Sequence, residues 1–298
     1  MGIYVEIPIC CRMDELWEKT QNPQLHQRWD LRFTDIEYLP REAEQPQKFL
    51  YRTRIGFGLK IDGKGESTGT RDAGGTRTSS LKFWSEDPKS LIRVGSGYWK
   101  YVPTGNVICF VTWYDYETRF GAIGKAVDTC VFRPLLGWAT AWSFDRLRLW
   151  IEQGTPPEAS RDRALVYAVA RGMLAFTWLY HGLVPKLLRQ DPIELDLLSR
   201  VGTPTSQLIT ALTIAGWTEI LFALLLVLLW RQTWPLWLTF SLMAMGIVVV
   251  AICAPAYLGA AFNPVTLNLA IAALSAICLV VGRELPTAAR CRRQPKQS

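Results

Sequence analysis

The sequence is poor in the residues that build metal and redox centres. Among 298 residues it has seven cysteines and two histidines. No CxxC pair occurs, and His26 and His181 lie far from most of the cysteines. This spacing indicates neither a zinc site nor a disulfide framework, and it leaves too few ligands for a haem. We therefore expect no metal site.

Sequence signatures of catalysis are also absent. There is no GxSxG, and the glycine-bearing segment 63–77 has neither GxGxxG nor GxxxxGK(S/T). Its glycines are typical of hairpin turns and bulges. His26 is a candidate general base, and packing or capping near a helix pair is the alternative. We assign no catalytic residue and expect binding rather than catalysis.

Two targeting and charge signals are missing as well. Residues 1–11 lack the basic start of a signal peptide, and Glu6 interrupts their apolar run, so we expect the N-terminal half to be cytoplasmic. The excess of Lys and Arg lies mainly after Gly282, which argues against nucleic-acid binding. We expect 283–298 to be a basic cytoplasmic tail, with lipid-headgroup contact as a sharper alternative.

What the sequence does contain is a set of long apolar runs in its second half. The run 207–230 carries a single charge, Glu219, and is long enough to cross a bilayer core of ~30 Å as a helix. The front part of the chain has no comparable run. We predict four spans and the following division of the chain: a soluble domain at 1–153, a linker at 154–163, a membrane domain at 164–282 with spans at about 165–188, 207–230, 234–258 and 262–282, and the tail at 283–298.

The basic residues around the spans predict their orientation. Arg161, Arg163, Arg231 and the tail share one side, and the loop after the third span has no Lys or Arg. The positive-inside rule then places both termini in the cytoplasm, although Arg189 and Arg200 fall on the outer side. We expect an integral protein of a bacterial-type inner membrane.

The soluble half reads as a strand, two short helices, several strands and a closing helical region. Residues 13–21 and 24–33 have helical spacing, and 48–57 alternates like a strand, with Phe49, Tyr51 and Phe57 on one face. Apolar residues then recur at spacings of three and four from Ile123 to Trp142. This pattern predicts a long helix that Pro134 either kinks or opens.

This order, together with the segment DELWEKTQNPQLHQRWD, resembles the START-like (SRPBCC, polyketide cyclase) helix-grip family over about residues 2–153. The resemblance implies a cavity between a curved sheet and the long helix that binds lipids, polyketides or other apolar ligands. Core filling is the alternative role for the aromatic residues in it. The candidate cavity residues are Trp29, Phe33, Tyr51, Phe57, Trp84, Trp113, Trp138 and Trp142.

The membrane half resembles a second family. The segment WLYHGLVPKLL, with His181 and Lys186, and the later GWTEI, with Glu219, resemble the DoxX-like family of small four-helix membrane domains over roughly 164–282. That family is linked to quinone-coupled sulfur redox chemistry and redox homeostasis, so a quinone is the one cofactor that the resemblance implies. Together the two resemblances predict an α+β helix-grip soluble domain followed by an all-α bundle of four transmembrane helices.

Charged residues inside the predicted spans mark a possible polar site. Arg171 lies about 7 and Glu219 about 11 positions from the cytoplasmic ends of their spans, which separates them by about 6 Å along the membrane normal. We predict that they pair, that His181 approaches from the outer side, and that Lys186 extends to the outer interface. The pair either serves a quinone headgroup or proton relay, or fixes helix packing.

These observations favour one function over two alternatives. The leading hypothesis is a membrane-anchored protein that binds a lipid-like or other apolar small molecule, with the soluble cavity held at the cytoplasmic face of the lipid bilayer. One alternative is a quinone-linked redox subunit that works through Arg171, His181 and Glu219. The other is a membrane anchor without chemistry. The sequence identifies no protein partner.

Overall fold

The computed structural model describes residues 2–41, 45–56, 58–261 and 263–295. The chain forms two compact units. The first comprises Met1–Arg161 and Pro286–Ser298, and the second comprises Asp162–Leu285. Phe57, one of the predicted cavity residues, lies outside the described residues. The boundary between the units falls inside the predicted linker 154–163.

The first unit is built on one antiparallel sheet. Its seven strands are β1 (Ile3–Ile9), β2 (Asp35–Tyr38), β3 (Lys48–Gly56), β4 (Leu59–Ala73), β5 (Thr76–Trp84), β6 (Ile92–Thr104) and β7 (Val107–Thr118), in the spatial order β1-β7-β6-β5-β4-β3-β2. The predicted turns are confirmed: Gly74 and Gly75 link β4 to β5 with positive φ angles, and a bulge interrupts β4 between Ser67 and Gly69. Glycine occupies such turns because it has no Cβ to clash.

Two short helices separate the edge strands β1 and β2. The helix α1 (Met13–Gln21) has the predicted bounds, and α2 (Pro23–Trp29) is shorter than predicted. Asn22 ends α1 and caps α2, because its side chain accepts a hydrogen bond from the Gln24 backbone N–H at 3.0 Å. Proline at the first position of α2 is tolerated because that N–H has no helical partner.

A long helix closes the strand sequence. The helix α3 (Gly121–Val127), a π-helical segment (Asp128–Phe132) and α4 (Arg133–Gln153) follow β7. Pro134 lies in the first turn of α4, so it opens that helix rather than kinking it. Phe144 on α4 stacks on Phe110 of β7 with ring centroids 4.5 Å apart. A sheet holding one long helix is the helix-grip arrangement, so the predicted α+β helix-grip fold of the first unit is confirmed.

The apolar residues that recur from Ile123 to Trp138 do not form the side of this helical region that packs in the core. Ile123 is 77% exposed, and Val127, Val131, Leu135 and Trp138 are also exposed. The buried side of α4 instead contains Ala141, Phe144 and Leu147, which join the core beneath β1 and β7. Spacing reveals that a helix has an apolar face, but it does not say which of two apolar faces meets the sheet.

The structure corrects the prediction of a basic tail at 283–298. Residues from Pro286 onward belong to the first unit instead of forming a free basic tail. The Thr287 backbone N–H donates to Asp145 Oδ2 at 2.8 Å, and Glu6 and Arg292 exchange two backbone hydrogen bonds at 2.9 Å. Cys291 is buried against α4. The buried Asp145 carboxylate and the edge of β1 both require partners, and this segment provides them.

The second unit is helical. Its helices are α5 (Pro157–His181), α6 (Pro192–Arg200), α7 (Leu208–Leu228), α8 (Trp234–Cys253) and α9 (Pro264–Val281), with a π-helical segment (Gly182–Leu188) after α5. The predicted linker is therefore helical from Pro157 onward, because proline at a helix start does not break the helix. Every bounded element here is α-helical or a short helical turn, as the all-α prediction requires.

Within the described residues, three helices are long and apolar enough to cross a membrane: Thr205–Leu228, Trp234–Cys253 and Pro264–Val281. Only 17–28% of their most apolar stretches is buried inside the protein, so most of these side chains face outward. Outward apolar side chains need lipid as their solvent. The second unit is therefore a membrane domain. The helix α5 is not among the three helices that are long and apolar enough to cross a membrane.

Candidate functional site

The first unit encloses a cavity of about 540 Å³. Its walls come from alternate residues of the curved strands and from one side of α4. On β3 the described residues of the predicted face, Phe49, Tyr51, Thr53 and Ile55, all line it. Successive strand residues point to opposite faces, so one face of β3 turns toward the cavity.

The predicted cavity residues divide into two groups. Phe33 and Tyr51 line the cavity, and their rings meet edge to face at 5.5 Å. Five others do not line it. These are Trp29, Trp84, Trp113, Trp138 and Trp142.

The strands explain two of these corrections. Leu81 and Phe83 of β5 line the cavity, so their neighbour Trp84 points to the other face. Thr112 and Tyr114 of β7 line it, so Trp113 between them also points away. Both faces of these strands carry aromatic residues, and the sequence does not identify the inner one.

The helices explain the other three. Trp29 is fully buried in the core, where its indole N–H donates to the Lys19 carbonyl at 2.9 Å. Trp138 stacks on Trp142 at 6.2 Å, and Trp138 is exposed. On α4 it is Leu135, Leu136 and Ala139 that line the cavity. These smaller residues leave space that a tryptophan would fill.

A buried polar group forms one part of the cavity wall. Asp30 is fully buried and accepts hydrogen bonds from Arg32 Nη2 at 2.6 Å and from His26 Nε2 at 3.0 Å. Burial opposes the charge on Asp30, but Arg32 and His26 hold the pKa of that carboxyl well below its usual range. His26 and Arg32 both line the cavity.

The His26 ring is surrounded by aromatic side chains. Its ring lies 4.8–5.2 Å from the rings of Trp29, Phe33 and Trp99. Burial lowers the pKa of His26 below its usual value, and the hydrogen bond to Asp30 only partly offsets this. His26 is therefore packed among aromatic rings, which is the alternative to a general base given above. It is also one of the residues that line the cavity.

Arg32 was not identified from the sequence. Its guanidinium lies 5.3 Å from the ring of Tyr114, another wall residue. Burial opposes its charge, but Asp30 raises the pKa of Arg32. The sequence signal was the motif Trp29-Asp30-Leu31-Arg32, in which a carboxylate and a guanidinium are two residues apart. Burial likewise raises the pKa of Tyr51 to about 12, so its hydroxyl stays neutral at ordinary pH.

The second unit contains another cavity, of about 330 Å³. His181, Lys186 and Glu219 all line it, so three of the four predicted intramembrane residues come together. Lys186 Nζ lies 3.2 Å from Glu219 Oε1 and 3.0 Å from Glu194 Oε1. Lys186 therefore bridges two carboxylates instead of extending to an interface alone.

Arg171 does not join this cluster, which corrects the predicted pair with Glu219. It is fully buried and donates to the carbonyls of Leu226 at 2.8 Å, Leu229 at 2.7 Å and Gln232 at 3.1 Å. It also donates to the Tyr167 hydroxyl at 2.5 Å. These carbonyls lie at and beyond the C-terminal end of α7, where a helix has acceptors without partners.

Within the described ranges, no group of three or more His, Cys, Asp and Glu side chains is arranged to hold a metal ion. The first cavity is mainly apolar with a neutralised Arg32–Asp30 pair. The second is smaller and contains a charged cluster.

Comparison with known proteins agrees with the two-part architecture. The DoxX-like family model matches residues 175–276. This match and the apolar helices define the class: a membrane protein with a DoxX-like domain. An "Uncharacterized membrane protein YndG" of Bacillus subtilis is 50% identical over 182 residues, which is 60% of this chain and 68% of that protein. The chain belongs to the family of that Bacillus protein.

Solved structures similar to the first unit share little sequence with it. A STAR-related lipid transfer protein from Xanthomonas axonopodis has a TM-score of 0.37 and 17% identity, and it covers 49% of this chain and 83% of its own. The Zhui aromatase/cyclase from a Streptomyces species has a TM-score of 0.36 and 13% identity, over 50% and 96%. At these scores the fold assignment rests on the strand order and the gripped helix described above.

Proposed function

We propose that this protein is a membrane-anchored binding protein for a lipid-like or other apolar small molecule, which the first unit's cavity holds. The observation that carries the proposal is the cavity of about 540 Å³ with its mainly apolar wall. Pockets of roughly 300–1,000 Å³ with a few polar groups hold small organic ligands. Well-packed cores retain few voids larger than a water molecule, so core filling does not account for this space.

The polar part of the wall narrows the chemistry of the ligand. The charge of Arg32 is neutralised by Asp30 at 2.6 Å. A neutral pair gives no net attraction to an anion. Arg32 Nε and Nη2 bond to Asp30, and the third guanidinium nitrogen, Nη1, carries two further N–H groups. We infer a ligand with an apolar body and a neutral acceptor, such as a carbonyl or hydroxyl oxygen, directed at Arg32.

An entry route is suggested by one wall residue. Leu135 lines the cavity and is also 57% exposed. It continues the exposed apolar strip of Ile123, Val127 and Val131. Exposed apolar strips of this kind are suited to lipid surfaces. We infer that the ligand passes Leu135, and that membrane anchoring raises the local concentration of a ligand that partitions into lipid.

The path of the chain supports four spans. The first unit contains both 2–161 and 286–295. We infer that this unit lies on one side of the membrane, so that the chain leaves from that side and returns to it. That requires an even number of crossings, whereas the apolar helices within the described residues number three. We infer that α5 with its π-helical segment is the fourth span. Its buried charge, Arg171, has carbonyl partners that make such a position tolerable. The basic residues favour cytoplasmic termini.

The redox alternative has less support. It requires Arg171, His181 and Glu219 to act together, and Arg171 instead binds carbonyls near the end of α7. A quinone remains a prediction for the second cavity, where Trp178 Nε1 and His181 are donors for a carbonyl oxygen. The lipid extraction described next also detects a bound quinone.

A matched pair of substitutions tests the binding function. Ala139 lines the cavity, whereas Ala126 on α3 is exposed. Full-length protein, Ala139→Phe and Ala126→Phe are incubated with a bacterial total lipid extract, repurified in mild detergent, and analysed by native mass spectrometry. We expect a defined apolar molecule on the wild type and on Ala126→Phe, and a clearly lower occupancy on Ala139→Phe, because the added ring takes up space in the cavity.

Two results would contradict the proposal. One is a wild-type protein that carries no molecule after incubation, which would favour the anchor without chemistry. The other is equal occupancy in Ala139→Phe and in the wild type, which would move the ligand to another site. Thermal unfolding of all three proteins shows whether Ala139→Phe is folded.

A further inference from the structure

The smaller cavity of the second unit contains two polar atoms without partners. Among the described residues, Trp178 Nε1 and Glu219 Oε2 are buried and have no hydrogen-bond partner in the protein. Both residues line the cavity of about 330 Å³. Buried polar groups are nearly always satisfied, so an unpaired donor and acceptor at one cavity indicate a missing partner.

Helix packing places the two residues next to each other. The Trp178 ring meets the Phe222 ring edge to face at 5.0 Å, and Phe222 lies one turn after Glu219 on α7. A Cβ placed on Gly182, one turn after Trp178, would lie 3.0 Å from Glu219 Cβ. The donor and the acceptor therefore belong to one contact between the α5 end and α7.

The charges around them leave Glu219 Oε2 available. Lys186 occupies Glu219 Oε1 at 3.2 Å and Glu194 Oε1 at 3.0 Å, so one ammonium serves two carboxylates. As the carboxylate of this ion pair, Glu219 only accepts hydrogen bonds. The indole N–H of Trp178 only donates. The missing partner must therefore donate to one and accept from the other.

We propose that this cavity binds a small amphipathic molecule through a hydroxyl group. The hydroxyl O–H donates to Glu219 Oε2, and its oxygen accepts from Trp178 Nε1–H. A carboxylate would repel Glu219 and has no proton to donate, and an ammonium cannot accept from Trp178. The apolar body of the ligand lies against Met243, Val250 and Ile271, which also line the cavity.

This site lies in the membrane domain and does not depend on the ligand of the first unit. The hydroxyl bond to Glu219 is charge-assisted, so it is stronger than a bond between neutral groups. A hydrogen bond in a protein interior is also electrostatically stronger than the same bond in water. A ligand that lacks the O–H loses this bond and leaves the carboxylate oxygen unsatisfied.

The test compares two probes that differ in that proton. Full-length protein in nanodiscs is dialysed against 1-naphthol or 1-methoxynaphthalene, with empty nanodiscs as the blank. The Ala139→Phe background reduces the space for both probes in the first cavity, and the substitutions in the second unit show which cavity holds them. We expect 1-naphthol to bind at least about 10-fold more tightly than its methyl ether, because only the hydroxyl donates to the charged acceptor.

Single substitutions locate the binding. Trp178→Phe keeps the ring and removes the N–H, and we expect it to weaken 1-naphthol binding about 5-fold or more. Glu219→Gln removes the charge and should weaken the same probe. Trp217→Phe, at an exposed position of α7, is the matched control and should bind like the parent.

Three outcomes would overturn the proposal. They are equal binding of the two probes, unchanged 1-naphthol binding in both Trp178→Phe and Glu219→Gln, and no binding of 1-naphthol above the blank. The last would mean that water alone fills the cavity. Loss of lipid binding by the first unit, with this probe selectivity retained, would refute the proposed function and leave this site intact.

Discussion

Arg171 illustrates how a single charge is accommodated in a membrane domain. Its guanidinium is fully buried and bonds to three carbonyls and one hydroxyl. The last carbonyls of a helix have no partners within it and carry partial negative charge. Arg171 therefore satisfies the C-terminal end of α7, and the rings of Tyr167 and Trp230 lie 5.6 and 5.7 Å from its guanidinium.

Removing this guanidinium should destabilise the second unit. For Arg171→Met we expect a loss of about 1–3 kcal/mol in unfolding free energy, because several buried carbonyls lose their donor. Arg171→Lys should recover only part of it, since an ammonium does not reproduce the planar fork. Thermal unfolding of full-length protein in detergent measures the change. The matched control is Arg163→Met, an exposed position on the same helix. Equal melting of Arg171→Met and this control would refute the assigned role.

Glycine decides how two helical elements of the membrane domain meet. A Cβ on Gly182 would lie 2.6 Å from the Gly216 carbonyl oxygen, and one on Gly216 would lie 2.9 Å from the Gly182 carbonyl oxygen. The backbones of α7 and the π-helical segment therefore approach closely. Small residues at helix contacts allow such packing in membranes. The close approach also holds Glu219 beside the end of α5.

A pair of glycine substitutions about three turns apart tests this contact. Gly182→Ala should destabilise the protein by about 1–3 kcal/mol, because the new methyl group overlaps a backbone carbonyl. Gly172→Ala on α5 meets no atom within 4 Å and should be neutral or stabilising by about 0.5–1 kcal/mol, because alanine favours a helix. Thermal unfolding of the two full-length variants provides the comparison. Similar effects of both substitutions would show that the close approach is not a constraint.

At the scale of the whole molecule, the last segment of the chain returns to the first unit. Backbone pairing between Glu6 and Arg292 joins residues near the two ends, and Cys291 packs on α4. The chain therefore passes between the units twice, at 161/162 and at 285/286.

The proposed four-span topology predicts which loops are accessible from each side. Single cysteines at Gly259 and at Gln232, both exposed, are introduced after the native exposed cysteines are replaced by serine. In intact bacterial cells an impermeant maleimide should label Gly259→Cys, which follows the third span, and should label Gln232→Cys only after permeabilisation. Native Cys10 in an otherwise cysteine-free chain should behave like Gln232→Cys. Labelling of both loops in intact cells would contradict the four-span arrangement.

Much of the first unit could be predicted from local pattern. Alternation along 48–56 identified both the strand β3 and its cavity-facing side, because a side chain in a strand has only two directions. The same rule failed for Trp84 and Trp113, where aromatic residues lie on both faces. Arg32 was missed because nothing in its immediate sequence indicates that Asp30 is fully buried beside it.

The sequence by itself determined the two-part architecture, the apolar character of the spans, and the residues whose charge is unfavourable in a membrane. Length, periodicity and charge are local properties, and they follow from the chain without its packing. Only the tertiary structure decided that Lys186, instead of Arg171, pairs with Glu219, and that 286–295 completes the first unit. Both depend on the rotation of each helix about its axis and on contacts between distant segments. Depth along a span does not determine that rotation, so packing selects the partner.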